Sequence, residues 1–403
     1  MTGSAHSSVS AAAPRIFLVA GEASGDRLGG RLLAGLKTLV PDLRAGGIGG
    51  PAMVAQGFES LFPITDIAVM GLIEVLPRLP RLLVRLRQAE RAILAARPDI
   101  LVTIDSPDFT LRLARRVKAA LPDLRVVHYV APSVWAWRPR RAEHMAAFVD
   151  TVLCLLPFEP PLMEAAGMEA RFVGHPVLAD SWPGPEVGAA FRSARGIAPD
   201  APLLAVLPGS RMGEIRRHMD VFGAALALLA PRLPGLEVVV PLAPGVAEAV
   251  IDRAAAWPLR PHFIDPRGRE DAAAEALKRA ALVAADAAIA ASGTVSLELA
   301  AADTPMVIAY GLNPLTWRLL RARLRVDTVT LVNLVSGSRA VPECLGPDCR
   351  PKPIAARAVR ILEDAAARAE QRRAMALTRE RLRIDEAFPG EAAARAVLGA
   401  SVA

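Results

Sequence analysis

Residues 285–310 read ADAAIAASGTVSLELAAADTPMVIAY, and few folds accommodate such a stretch. The small apolar run at 287–291 fits a buried strand. Ser292, Gly293 and Thr294 form a turn of small residues, residues 295–302 carry helical spacing, and Pro305 precedes a second apolar run at 306–310. Strand, turn, helix, strand is a crossover unit of a parallel sheet. The turn sets backbone N–H groups at a helix start, where phosphate binds well. Glu298 lies about one turn into that helix. A carboxylate repels phosphate, so Glu298 would serve another part of the ligand, such as a pair of ribose hydroxyls. The alternative is an ordinary first-turn acid that favours the helix dipole.

The same alternation runs along the whole chain. An apolar run at 15–20, RIFLVA, leads into GEASGDRLGG and then RLLAGLKTL. These glycines do not match G-x-G-x-x-G, so a dinucleotide fingerprint is not supported. Gly21 and Gly25 instead let backbone approach a ligand or a neighbouring helix. Asp26 either caps or binds. RPDILVTIDSPDF at 97–109 is a buried strand ending in Asp105. Ligands of open parallel sheets sit at such carboxyl ends, where a shielded carboxylate suits a general base. Asp108 beside Pro107 reads as a helix cap. RVVHYVAPSVWAWRPRR at 125–141 puts Trp135 and Trp137 beside Arg138, either to meet a partly apolar, partly anionic ligand or to pack a strand end. After the strand at 203–207, PGSRMGEIRRHM offers a phosphate-type turn at Gly209 and Ser210. Arg211 aims its fork at the same place, as a diphosphate site requires.

Composition narrows the function classes. With 403 residues the chain should hold two or three domains. It is 53% hydrophobic, and its net charge of +7 is modest for this length, so nucleic acid is not expected. Aromatics at 4% give no base-stacking platform. The three cysteines, Cys154, Cys344 and Cys349, form no framework and suggest a reducing compartment. No D-x-D motif is present and no metal is expected, so Arg211 and helix N-termini would balance a diphosphate. No uncharged apolar run reaches about 18 residues, so no transmembrane helix is expected. The segment 67–97 interleaves leucines with arginines, Arg81 and Arg85 among them. It reads either as an interfacial helix on anionic lipid or as a core-packed helix with a solvated basic face. The expected organisation is a disordered leader at 1–14, an acceptor- and membrane-facing Rossmann-like domain at 15–180, a linker at 181–200, a Rossmann-like donor domain at 201–355 and C-terminal helices at 356–403. The fold class is α/β.

The chain also resembles the lipid-A-disaccharide synthase family. The matching blocks are VAGEASGD at 19–26, AVMGLIEVL at 68–76, TIDSPDF at 103–109, HYVAPSVWAWR at 128–138, LLPFE at 155–159, GHP at 174–176, LPGSR at 207–211, ASGTVSLE at 291–298 and VNL at 332–334. Ala23 stands where Thr is common in the family. The resemblance implies two Rossmann-like domains facing across a cleft (GT-B), with C-terminal helices packing back on the body or exchanged in a domain-swapped homodimer. It implies an inverting transfer that joins UDP-2,3-diacylglucosamine to 2,3-diacylglucosamine 1-phosphate (lipid X), giving a β-1,6-linked disaccharide and UDP. Asp105 would be the base. Ser210, Arg211, Ser292, Gly293, Thr294, Glu298 and Asn333 would hold the UDP donor. Gly21, Ser24, Asp26, Trp135, Trp137, Arg138, Arg81 and Arg85 would serve the acceptor and lipid side. The implied location is cytoplasmic, peripheral on the anionic inner-membrane surface of a Gram-negative cell. The rival readings are another GT-B-type UDP-sugar enzyme, such as a 2-epimerase, and a non-catalytic surface protein that binds UDP-sugars.

Overall fold

The computed structural model describes residues 13–68, 72–388 and 390–399. Most of the expected leader and residues 69–71 of the AVMGLIEVL block lie outside the described residues. In chain order the first elements are β1 (Arg15–Ala20), α1 (Ala23–Leu39), β2 (Arg44–Ile48), α2 (Pro51–Val54), α3 (Leu72–Ala96), β3 (Ile100–Ile104), α4 (Pro107–Ala120), β4 (Arg125–Tyr129), α5 (Arg140–Ala146), β5 (Thr151–Cys154), α6 (Pro160–Glu164) and β6 (Glu169–Phe172). Then come α7 (Pro185–Ala194), β7 (Leu203–Leu207), α8 (Met212–Leu229), β8 (Glu237–Pro241), α9 (Ala247–Ala254), β9 (His262–Ile264), α10 (Asp271–Ala284), β10 (Ala287–Ala290), α11 (Val295–Ala301) and β11 (Met306–Tyr310). The chain ends with α12 (Pro314–Arg321), α13 (Leu331–Ser336), β12 (Glu343–Leu345), α14 (Pro351–Glu363), α15 (Ala365–Leu382) and α16 (Glu391–Leu398).

Residues 1–176 and 384–403 form one unit and residues 177–383 the other. Each unit holds a six-stranded parallel sheet, in the orders β2-β1-β3-β4-β5-β6 and β12-β11-β10-β7-β8-β9. The α/β class follows from the strands themselves. β3 and β7 are buried along their whole length, as strands covered by helices on both faces must be. In the first unit Leu18, Val102 and Val127 meet Leu32, Leu33 and Leu36 of α1 in one core. At about 1.5–3 kcal/mol for each fully buried large side chain, this core is a main source of stability.

In an open parallel sheet, the crevice opens where the chain reverses its direction of travel across the strands. In the first unit that point lies between β1 and β3. In the second it lies between β7 and β10, and the order β9-β8-β7-β10-β11-β12 is the dinucleotide-fold order. The fold alone therefore singles out the residues just after β1, β3, β7 and β10.

Two expected boundaries need correction. Residues 181–200 are not a free linker, because α7 packs on α10 as part of the second unit. Arg192 is buried, donating to Ala284 O at 2.7 and 2.9 Å and to Asp286 Oδ2 at 2.8 Å. Small residues make this contact possible and also erase the apolar periodicity that would have revealed the helix. The helices at 356–403 are not one appendix either. Ile354, Ala358 and Ile361 of α14 belong to the second core, while α16 returns to α1. A side chain on Gly35 would meet Gly390 O at 2.6 Å, so glycine at position 35 is needed for that return.

Candidate functional site

At the first reversal point β3 ends in Ile104, and Asp105 and Ser106 both take the left-handed conformation (φ 55° and 47°). Such residues cost about 1–3 kcal/mol each and persist only where the surroundings enforce them. Here the enforcement is local. Asp105 N donates to Tyr129 O at 2.9 Å, Thr110 Oγ1 donates to Asp105 O at 2.7 Å, and Ser106 N donates to Asp105 Oδ1 at 2.7 Å. Among the described residues, the other carboxylate oxygen, Oδ2, has the Ser24 hydroxyl at 3.0 Å as its hydrogen-bond partner. Ser24 Oγ also lies 2.8 Å from Glu22 Oε1, and its single proton serves one carboxylate at a time. Gly21 is there for closeness: a Cβ would lie 2.0 Å from Ser106 Cβ. Of its expected ligand or packing role, packing is what the structure shows.

His128 lies beside this turn, paired in register with Thr103 and fully buried. Its Nδ1 is 2.8 Å from Thr103 Oγ1. Burial lowers its pKa to about 4, against the raising effect of the nearby Asp105 charge. The imidazole beside Asp105 is therefore neutral at neutral pH. In the following loop Trp135 donates to buried Glu159 at 3.2 Å and meets Phe158 edge to face. Burial raises the Glu159 pKa to about 7, while the Leu156 amide, Trp135 and the Leu155 amide pull it back. Trp135 is thus an anchor. Trp137, 38% exposed, carries Arg138 stacked at 4.2 Å and presents the outward face of the loop.

Asp26 falls outside this constellation. It is 4% exposed and accepts from Gly50 N at 2.7 Å, Ala52 N at 2.9 Å and Met53 N at 3.1 Å. Both oxygens cap the start of α2, which is the capping alternative of the sequence reading. Arg81 and Arg85 also make an internal ion pair. Both pair at 2.5 Å with the buried Asp66, and Arg85 also lies over Phe62. A buried carboxylate needs such compensation. Among the described side chains of α3, Leu79, Leu83 and Val84 are exposed on the same face as exposed Arg87 and Arg91.

At the second reversal point the two turns differ. Ala291 N donates to Leu207 O, so the turns after β7 and β10 are neighbours. Among the described residues, Gly293 and Thr294 are exposed and the amides from Ser292 to Thr294 have no partner. The amides of Ser210 and Arg211, expected to receive phosphate, are already taken. Glu214, 6% exposed, accepts from Ser210 N at 3.0 Å and Arg211 N at 3.3 Å. The sequence signal was present as an acid three residues after the N-cap, the spacing of a capping box. Arg211 itself points out, its side chain 58% exposed.

Glu298 pairs through Oε2 with Lys278 Nζ at 2.6 Å. Lys278 comes from α10 and no motif announced it. Asn333 is 1% exposed and fully engaged: Nδ2 donates to Thr328 Oγ1 and Val341 O, and Oδ1 accepts from Val341 N. In this arrangement Asn333 locks the 328–341 loop. Glu343 completes that lock by accepting from the amides of Val329 and Thr330 and the hydroxyls of Thr328 and Thr330.

Comparison with known proteins fits this geometry. A family model described as lipid-A-disaccharide synthetase matches residues 16–397. The lipid-A-disaccharide synthase of Ruegeria pomeroyi is 56% identical over 95% of this chain and 94% of its own length. Among solved structures, the UDP-GlcNAc 2-epimerase of Neisseria meningitidis bound to UDP-GlcNAc superposes with TM-score 0.63 at 10% identity, over 96% of this chain and 98% of its own. The calicheamicin glycosyltransferase superposes with TM-score 0.59 at 17% identity, over 98% of this chain and all of its own. At these identities both likenesses speak for the fold alone.

Proposed function

The chain belongs to the lipid-A-disaccharide synthetase family, and from that premise we propose how its residues carry out the transfer. It is a glycosyltransferase that forms the lipid A disaccharide. The donor is UDP-2,3-diacylglucosamine and the acceptor 2,3-diacylglucosamine 1-phosphate. Asp105 Oδ2 takes the proton of the acceptor's 6-hydroxyl as that oxygen attacks C1 of the donor sugar. The bond from C1 to the diphosphate oxygen breaks, its electron pair leaves with UDP, and the configuration at C1 inverts. Arg211 stabilises the charge that grows on the diphosphate. Glu298, one oxygen held by Lys278, offers the other to a ribose hydroxyl.

The observation that carries this reading is the contrast between two carboxylates of the first unit. Asp26 has both oxygens bound by amides, whereas Asp105 keeps Oδ2 against a single hydroxyl at the reversal point. A base needs a free lone pair facing the ligand, and Asp105 has one. The test is direct. Purified protein given both lipids should release UDP and a β-1,6-linked disaccharide in equal amounts. UDP release with no disaccharide formed when both lipids are present would exclude synthesis and favour the epimerase-like alternative.

No helix of the described residues is long and apolar enough to cross a membrane. The acyl substrates nevertheless reside in lipid, so the protein works at its surface. Leu79, Leu83 and Val84 with Arg87 and Arg91 supply the contact, apolar side chains between basic heads. Leu83→Asp combined with Val84→Asp should lower sedimentation with anionic vesicles about tenfold or more, because burying charge in lipid is costly. Unchanged sedimentation would remove α3 from the membrane face.

A further inference from the structure

Glu214 does more than close a helix. Gly209 (φ +121°) has no room for a side chain, since a Cβ would lie 2.4 Å from Glu214 Oε2. The turn after β7 is thus wrapped around this carboxylate. While Oε2 takes the two turn amides, Oε1 lies 3.5 Å from Arg211 Nη1 and accepts from Tyr310 Oη at 3.3 Å. Tyr310 is the last residue of β11, two strands away from β7. One turn along α8, His218 is fully buried and makes the same span. Its Nδ1 is 2.8 Å from Pro208 O, and its Nε2 accepts from Gly311 N at 3.1 Å. Its ring meets Tyr310 edge to face at 5.1 Å. Pro208 and Gly311, on either side of the turn after β10, are thereby held at a fixed separation.

We propose that Glu214, anchored by Tyr310 and braced by His218, is a positioning residue that presents Arg211 to the donor's diphosphate. The physical reason lies in what the carboxylate excludes. Phosphate could reach the Ser210 and Arg211 amides only by expelling a buried charge from its partners, and such a charge is costly to strand. With those two amides closed, the charge that the β7 turn offers an anion is the Arg211 guanidinium. A long flexible side chain binds an anion well only when its geometry is fixed beforehand. Glu214 supplies that restraint from behind, and the hydroxyl of Tyr310 keeps Oε1 from rotating away.

This inference rests on Arg211 contacting the diphosphate, and a double-mutant cycle separates the two claims. The wild-type enzyme, Tyr310→Phe, Glu214→Gln, Arg211→Ala and the two combinations with Arg211→Ala are assayed for kcat/KM of the UDP-sugar donor at saturating acceptor. Tyr310→Phe alters neither charge nor shape and keeps the ring contact with His218. Each of the first two variants should lower kcat/KM about tenfold in the wild-type background. With Arg211 already removed, each should lower it less than about twofold, because residues acting through one arm are not additive. Equal losses in both backgrounds would mean a merely structural role and overturn the proposal. No loss in the wild-type background would overturn it too. A fully active Arg211→Ala would overturn the diphosphate reading and this inference with it.

Discussion

Asp105→Asn is expected to lower disaccharide formation by about a thousandfold, within the 10²–10⁴ range typical of a lost general base. The change is nearly isosteric. The amide oxygen can still accept from Ser106 N, and the amide nitrogen takes the place of Oδ2 facing Ser24. The left-handed turn should survive, since asparagine tolerates that conformation as well as aspartate does. What disappears is the lone pair that receives the acceptor's proton. The loss should appear in kcat, and UDP affinity measured by calorimetry should stay within about twofold, since the donor residues lie in the other unit. A variant with full activity would refute the base assignment. A variant that lost UDP affinity as well would show that the turn had collapsed or that Asp105 contacts the donor.

Arg211→Ala is expected to weaken UDP binding by about ten- to a hundredfold, the value of one or two charge-assisted hydrogen bonds. The effect should be selective. Uridine, which lacks the diphosphate, should bind the variant and the wild type alike. Turnover should fall further than affinity, because the charge on the departing diphosphate is greater in the transition state than in the bound donor. Fold stability should hardly change, since the guanidinium is more than half exposed. Equal loss of uridine and UDP affinity would point to a disturbed turn. Unchanged UDP affinity would take Arg211 out of the donor site.

The internal contacts of several expected site residues share a cause. Asp26, Arg85 and Asn333 all have residue types suited to ligand work, and all make hydrogen bonds within the protein itself. Asp26 caps backbone 24 to 27 positions away, and Arg85 pairs with Asp66 19 positions away. A side chain has a limited number of hydrogen-bonding sites, and once they are filled internally it is not free for a substrate. Distant partners of this kind leave no local mark. Glu214 was the exception, because its partners lie three and four residues away and produce a visible spacing.

The alternation of short, wholly apolar runs with helical stretches determined the α/β class, because strands buried on both faces need helices to cover them. The same logic located Asp105, Arg211 and the Ser292 turn, since a polar residue directly after a buried strand must emerge at the sheet's carboxyl end. Only the tertiary structure decided which strands are neighbours, and so which of those strand ends share a crevice. It also decided which of the polar groups gathered there keep a free lone pair or amide. Both are properties of contacts between residues far apart in the chain, and no local pattern of amino acids encodes them.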